Sequence, residues 1–127
     1  MKLRITHNSI RIRIRKSELK QLAQELLVEE TVNLGQQVIF KFALGIDNTL
    51  SQINASLSDN YLRLLLPLET AQTWINSNEV SLEVNQVISD ADTLHLLIEK
   101  DFPCIDRPEE DKSDTFWELV PETPDAC

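Results

Sequence analysis

Twice within its first hundred residues this chain switches from period-two apolar spacing to helical spacing and back. Leu3 and Ile5 alternate with Lys2, Arg4 and Thr6; His7-Asn8 interrupts; then Ile10, Ile12 and Ile14 alternate with Arg11, Arg13 and Arg15. Side chains of a strand point to opposite faces in turn, so this pattern reads as a hairpin with one apolar face. Ser17 is placed to cap a helix, and Leu19, Leu22, Ala23 and Leu26 follow at helical spacing for about ten residues. Val28, Glu30, Val32 and Leu34 restore the period of two; Gly35 turns the chain into Val38, Phe40, Phe42 and Leu44, and Gly45-Ile46-Asp47-Asn48 reads as a loop.

The same order then recurs. Ile53, Ala55 and Leu57 alternate, Asp59-Asn60 turns, and Leu62, Leu64 and Leu66 alternate up to Pro67, which suits a helix entry because its missing N–H costs nothing there. Ala71, Trp74 and Ile75 share a helical face; Val80, Leu82 and Val84 alternate, and after a turn near Ser89-Asp90 so do Leu94, Leu96 and Ile98. A shift of 52 residues lays Asn8 on Asn60, Arg11 on Arg63, Val28 on Val80, Val32 on Val84 and Asn33 on Asn85. The expected fold is therefore α+β and strand-dominated: a duplicated strand–strand–helix–strand–strand unit (repeats 1–50 and 53–100) forming one pseudo-twofold barrel or sandwich over residues 1–105. An extended acidic tail follows over 106–127.

Length and composition bound the rest. At 127 residues, 42% hydrophobic and 26% charged, the chain suits one domain able to bury a core. With 2 glycines it has no material for a Gly-rich phosphate loop. It holds no apolar run long enough to span a bilayer, and the opening residues have no continuous apolar stretch of the signal-peptide kind. The expected location is the cytoplasm, without membrane contact. Cys104 and Cys127 are expected to be free thiols rather than a disulfide framework. The net charge of −9 is unevenly placed: residues 1–20 carry seven bases and one acid, residues 101–127 nine acids and two bases.

The run Leu62-Arg63-Leu64-Leu65-Leu66-Pro67, the short helix after it, and the strands around Val80–Val84 and Leu94–Ile98 resemble the swapped-hairpin domain of AbrB-type bacterial transition regulators. That resemblance implies units that pair into a barrel; the first half departs from it, with Arg15 where the proline would stand. The chain as a whole resembles a family of small uncharacterised bacterial proteins. The resemblance is carried by Asn8-Ser9-Ile10-Arg11-Ile12-Arg13, by Glu29-Glu30, and by Glu99-Lys100-Asp101-Phe102-Pro103-Cys104 ahead of an acidic tail. It implies a domain of unknown function and supplies no activity.

Arg11, Arg13 and Arg15 form the main candidate site, an anion- or tail-binding stripe along one strand. Clustered guanidiniums repel one another unless something negative covers them, and either nucleic-acid phosphate or the chain's own acids (Glu29-Glu30, or the tail) could do so. The overall negative charge favours the internal partner. Cys104 is a candidate reactive thiol, but a thiolate nucleophile needs a base nearby and neither His7 nor His95 stands at short spacing; an inert cysteine is the plainer reading. His7, His95 and Cys104 show no metal-ligand spacing, so no metal and no cofactor are expected. In the tail, Phe116 and Trp117 lie in a short apolar segment, 115–120, beyond the acidic stretch 106–114, and are candidates to dock on the domain or on a partner.

These readings point to a non-enzymatic binding or interaction module, with another protein as the expected partner. The alternatives are a nucleic-acid-binding regulator that uses the arginine strand, and a small-ligand or enzymatic barrel that uses Cys104 or His95.

Overall fold

The computed structural model describes residues 1–101. The elements run β1 (Lys2–Thr6), β2 (Ser9–Ile14), α1 (Lys16–Glu25), β3 (Leu27–Gly35), β4 (Val38–Asp47), β5 (Asn54–Ser58), β6 (Tyr61–Pro67), α2 (Leu68–Ile75), β7 (Ser81–Val87) and β8 (Thr93–Lys100). The first sheet has the order β1-β2-β8-β7 and the second β3-β4-β6-β5. Each sheet thus joins two hairpins from opposite halves of the chain, antiparallel within a hairpin and parallel where the hairpins meet, at β2–β8 and β4–β6. Relabelling each strand by its counterpart four places on turns one order into the other.

The strands do not close into a barrel. Among the described residues β1 and β7 are the edges of one sheet and β3 and β5 the edges of the other. Closure is replaced by side-chain clasps at two seams. Between β5 and β7, the Gln86 carboxamide accepts from the Ala55 N–H at 2.7 Å and donates to the Ala55 carbonyl at 3.2 Å, as a paired strand would. Between β1 and β3, the buried Met1 ammonium donates to Glu30 at 2.8 Å, and also to Glu18 of α1 at 2.6 Å.

One core serves both sheets and both helices. Ile12, Leu44, Leu64, Leu96 and Ile98 are fully buried, and Leu22 of α1 and Trp74 of α2 join them from the helices. Trp74 also donates its indole N–H to the Val80 carbonyl, and the Lys100 ammonium caps α2 by donating to the Trp74 and Ser77 carbonyls, both at 2.8 Å. In each sheet the helices leave from one end, so the hairpin turns gather at the other. There His7, Asp59 and Asn60 take the left-handed backbone conformation that tight turns require, as does the run Gly35-Gln36-Gln37.

Three details differ from the sequence reading. Gly45, Ile46 and Asp47, expected in a loop, continue β4 because they pair with Leu65, Leu66 and Pro67 of β6. Ser17 lies inside α1; the cap position falls to Arg15, whose N–H donates to the Glu18 carboxylate at 2.8 Å. The single 52-residue shift holds only through the first hairpin and the helix: the pair Ile5–Ile10 corresponds to Leu57–Leu62, and Leu22 to Trp74. The second hairpin is displaced by 54, since the pair Val28–Leu44 corresponds to Leu82–Ile98. Val28 therefore corresponds to Leu82 rather than Val80, and Val32 to Gln86 rather than Val84. The cause is the connection after each helix: Leu26 alone, in a left-handed turn, joins α1 to β3, whereas residues 76–80 join the shorter α2 to β7.

Candidate interaction face

The core side of β2 is taken by Ile10, Ile12 and Ile14, which turns Arg11 and Arg13 to the outer face of the first sheet. Pairing register then assembles that face in rows. Arg4 lies opposite Arg11, which neighbours Leu97 and then Glu83; Lys2 lies opposite Arg13, which neighbours Glu99 and then Ser81. The two rows hold four cations, all on β1 and β2, and two carboxylates, both on β7 and β8. Like charges placed directly across a strand pair are destabilising. Glu99 offsets part of that cost: its Oε1 lies 3.4 Å from both Arg11 Nε and Arg13 Nη2.

The stripe expected from the sequence is thus rearranged. Arg15 is not part of it, because β2 ends at Ile14 and Arg15 turns into the helix, where its Nε pairs with Glu18 at 3.4 Å. Lys2 and Arg4, exposed beside the remaining pair, belong to it instead. The turn at His7-Asn8 carries that information, since a two-residue hairpin loop there sets Arg4 against Arg11 and Lys2 against Arg13. Glu29 and Glu30 do not cover the arginines: Glu29 accepts the Tyr61 hydroxyl proton in a hydrogen bond and Glu30 binds the Met1 ammonium. Burial, then the Glu29 hydrogen bond and charge, push the Tyr61 hydroxyl above its ordinary pKa against the opposing pull of Arg63.

The second sheet serves as an internal comparison. Its corresponding rows read Ser56, Arg63, Ala43, Glu29 and Asn54, Leu65, Gly45, Leu27. A sheet of the same strand order therefore stands with one cation and one carboxylate where the first carries four and two. Ala43 and Gly45 are buried beneath their neighbours, and a Cβ at Gly45 would meet Leu65 Cδ2 at 2.9 Å.

His95 lies in the next row of the first sheet, half-buried, with Nδ1 3.0 Å from Ser9 Oγ and Nε2 2.6 Å from the exposed Glu83 carboxylate. His7 sits apart at the β1–β2 turn. Among the described residues no three His, Cys, Asp or Glu side chains are grouped to hold a metal. A shallow depression of about 320 Å³ between α2 and β7 is lined by Glu69, Thr70, Thr73, Glu79 and Leu82, none of them a candidate site residue. Cys104, Phe116, Trp117 and the acids of the tail lie outside the described residues. No helix among those residues is long and apolar enough to cross a membrane.

The chain belongs to DUF7009, a family of unknown function. The family model matches residues 1–119, so this DUF7009 chain carries its family's pattern through both sheets and 18 residues past Asp101, into the apolar segment of the tail. No curated protein and no solved structure matches it.

Proposed function

We propose that this DUF7009 protein is a non-enzymatic, cytoplasmic interaction module whose basic outer face, formed by Lys2, Arg4, Arg11 and Arg13, binds acidic polypeptide, the chain's own tail being its resident ligand. The observation that carries this reading is the contrast between the two sheets: the same strand order is built without the cation cluster in the second, so folding does not call for it in the first. The position of the last described residue supports this reading. Asp101 donates its N–H to the Ile14 carbonyl at 2.7 Å, beside the Arg13 row, and the next 26 residues carry eight acids against two bases. Charge complementarity of this kind sets orientation and excludes like-charged partners.

The duplicated origin of the two halves belongs to the same proposal. It is supported by the matched strand orders and by the burial of Leu22 and Trp74 at corresponding places. A later specialisation of one sheet's outer face then accounts for the asymmetry of charge.

The test compares the full chain with a variant whose tail acids are neutralised (Asp106→Asn, Glu109→Gln, Glu110→Gln, Asp111→Asn, Asp114→Asn). The guanidinium Nε–H resonances of Arg11 and Arg13 are expected to shift on neutralisation, and the variant to gain affinity for a polyglutamate column. Unchanged resonances would end the proposal. Salt-sensitive retention of the unmodified chain on DNA or RNA, lost on replacing Arg4, Arg11 and Arg13, would put the nucleic-acid alternative in its place.

A further inference from the structure

The interior side chains of this fold pack most tightly toward the helix end. At the helix end, Ile12, Ile14, Leu22, Leu66 and Trp74 are at most 1% exposed. Toward the hairpin turns, apolar side chains come out into solvent: Ile5 is 60% exposed on β1, and Val32, Leu34 and Val38 are 40%, 64% and 43% exposed on the β3–β4 hairpin. Ile5, Val32 and Val38 have the core-facing parity of Leu3, Val28 and Phe42, so these are inward positions left without a cover. The β3–β4 hairpin also overhangs its sheet, because β4 meets β6 only from Lys41 onward and leaves Val38–Phe40 unpaired on that side.

The two groups adjoin one seam. Met1 against Glu30 sets β1 and β3 edge to edge, and from that clasp both strands run toward the hairpin end. A path from Asp101 across Arg13, Arg11 and Arg4 leads from β8 over β2 and β1 to this seam. We infer that the apolar segment at residues 115–120, with Phe116, Trp117, Leu119 and Val120, docks on the exposed strip formed by Ile5, Val32, Leu34 and Val38.

Three observations select this occupant. Length suffices: Phe116 is 15 residues from Asp101, up to about 50 Å of extended chain, against about 27 Å for an eight-residue strand such as β8. Charge order fits, since the acids at 106–114 fall between Asp101 and the apolar segment, where the path crosses the cations. The family match extends through residue 119, into this segment, as expected if the segment belongs to the domain. The inference rests on the proposed tail-binding face and adds the seat to which it leads.

Acrylamide quenching of the full-length protein tests it. Trp74 is fully buried, so quenching reads Trp117. The expected quenching constant is several-fold below that of a free peptide spanning 113–122, and it rises toward the peptide value in the Ile5→Ser/Leu34→Ser variant, whose substitutions sit at already exposed positions. Nuclear Overhauser contacts from the Trp117 indole to methyls of Ile5, Val32 or Leu34 should accompany the protection. Peptide-like quenching in the intact chain, or protection indifferent to Ile5→Ser/Leu34→Ser, would overturn the seat. So would protection lost on dilution, which would mark a second copy as the occupant. Salt separates the two proposals: an exposed Trp117 beside salt-sensitive Arg11 and Arg13 resonances refutes the seat alone. Resonances indifferent to salt and to tail neutralisation refute the basic face as well.

Discussion

Replacing Glu18 should disable a junction that joins three parts of the fold. Glu18 is 7% exposed; its carboxylate accepts from the Met1 ammonium at 2.6 Å and from the Arg15 N–H at 2.8 Å, and has Arg15 Nε at 3.4 Å. A hydrogen bond to a charged group contributes about 1.5–3 kcal/mol and a helix cap about 1 kcal/mol. Glu30 continues to hold the ammonium, so the net loss for Glu18→Ala is about 3 kcal/mol. Glu18→Gln, which can still accept from the Arg15 N–H, should lose about 1–2 kcal/mol, by the same reckoning of one charged bond weakened and one retained. Urea denaturation followed across pH supplies a second signature. Burial opposes ionisation of Glu18, but the hydrogen bonds and charge of the ammonium and the Arg15 N–H outweigh it and hold the carboxyl below 4.5. Its contribution is therefore present above pH 4.5 and is lost as pH falls through the lowered folded value. Burial likewise opposes the ammonium, but Glu18 and Glu30 raise it above 8.0, so its contribution is present below pH 8.0 and is lost as pH rises through the raised value. Glu18→Gln should remove the acid limb's Glu18 component and shrink the alkaline one. A Glu18→Ala protein within about 0.5 kcal/mol of the parent, the range of neutral surface changes, with both limbs unchanged, would refute the reasoning.

Gln86→Ala removes the clasp between β5 and β7 and leaves the Ala55 N–H and carbonyl to find water; a loss of about 1–3 kcal/mol in urea denaturation is expected, with faster amide exchange at Ala55. Trp74→Ala empties the largest fully buried side chain and removes the ring that lies 5.4 Å beneath the Lys100 ammonium; a loss of about 3–5 kcal/mol is expected by the same measurement.

Architecture was legible where the apolar period is clean. Ile10-Ile12-Ile14 and Leu62-Leu64-Leu66 each define one buried face, and both became central strands. Helix α2 followed from Ala71-Trp74-Ile75 and α1 from Leu19 and Leu22, whereas Ala23 is exposed and Leu26 lies past the helix end, also exposed. What escaped was set by long-range partners. Gln86 reads as an ordinary polar residue until the β5 edge comes beside it, and Glu18 as a helix-surface acid until Met1 arrives. The two-residue displacement after the helix was hidden because Val80, Val84 and Asn85 repeat the types of Val28, Val32 and Asn33 at the wrong spacing, and only strand pairing distinguishes a 52-residue from a 54-residue correspondence. Arg15 looked continuous with Arg11 and Arg13 because alternation does not announce where a strand ends; Glu18 ends it by drawing the Arg15 N–H into a cap.

The charge pattern gains meaning from the position of these strands in the sheet. A lone edge hairpin could carry Lys2, Arg4, Arg11 and Arg13 well apart in solvent, but here β2 is an inner strand and Arg13 has a side chain only 15% exposed. Half-buried guanidiniums side by side raise the energy of the sheet unless anions stand close, and Glu99 lies within reach of both. Asn54, Ser56 and Leu65 show that the second sheet does without such an arrangement. On the proposed reading, a cation cluster that the second sheet does without, and that adjoins Asp101 at the origin of the acidic tail, serves as a binding surface. Its occupancy would then couple the tail to the stability of the first sheet: neutralising the tail acids should lower the unfolding midpoint of the whole domain, and raising salt should narrow the difference between the two proteins.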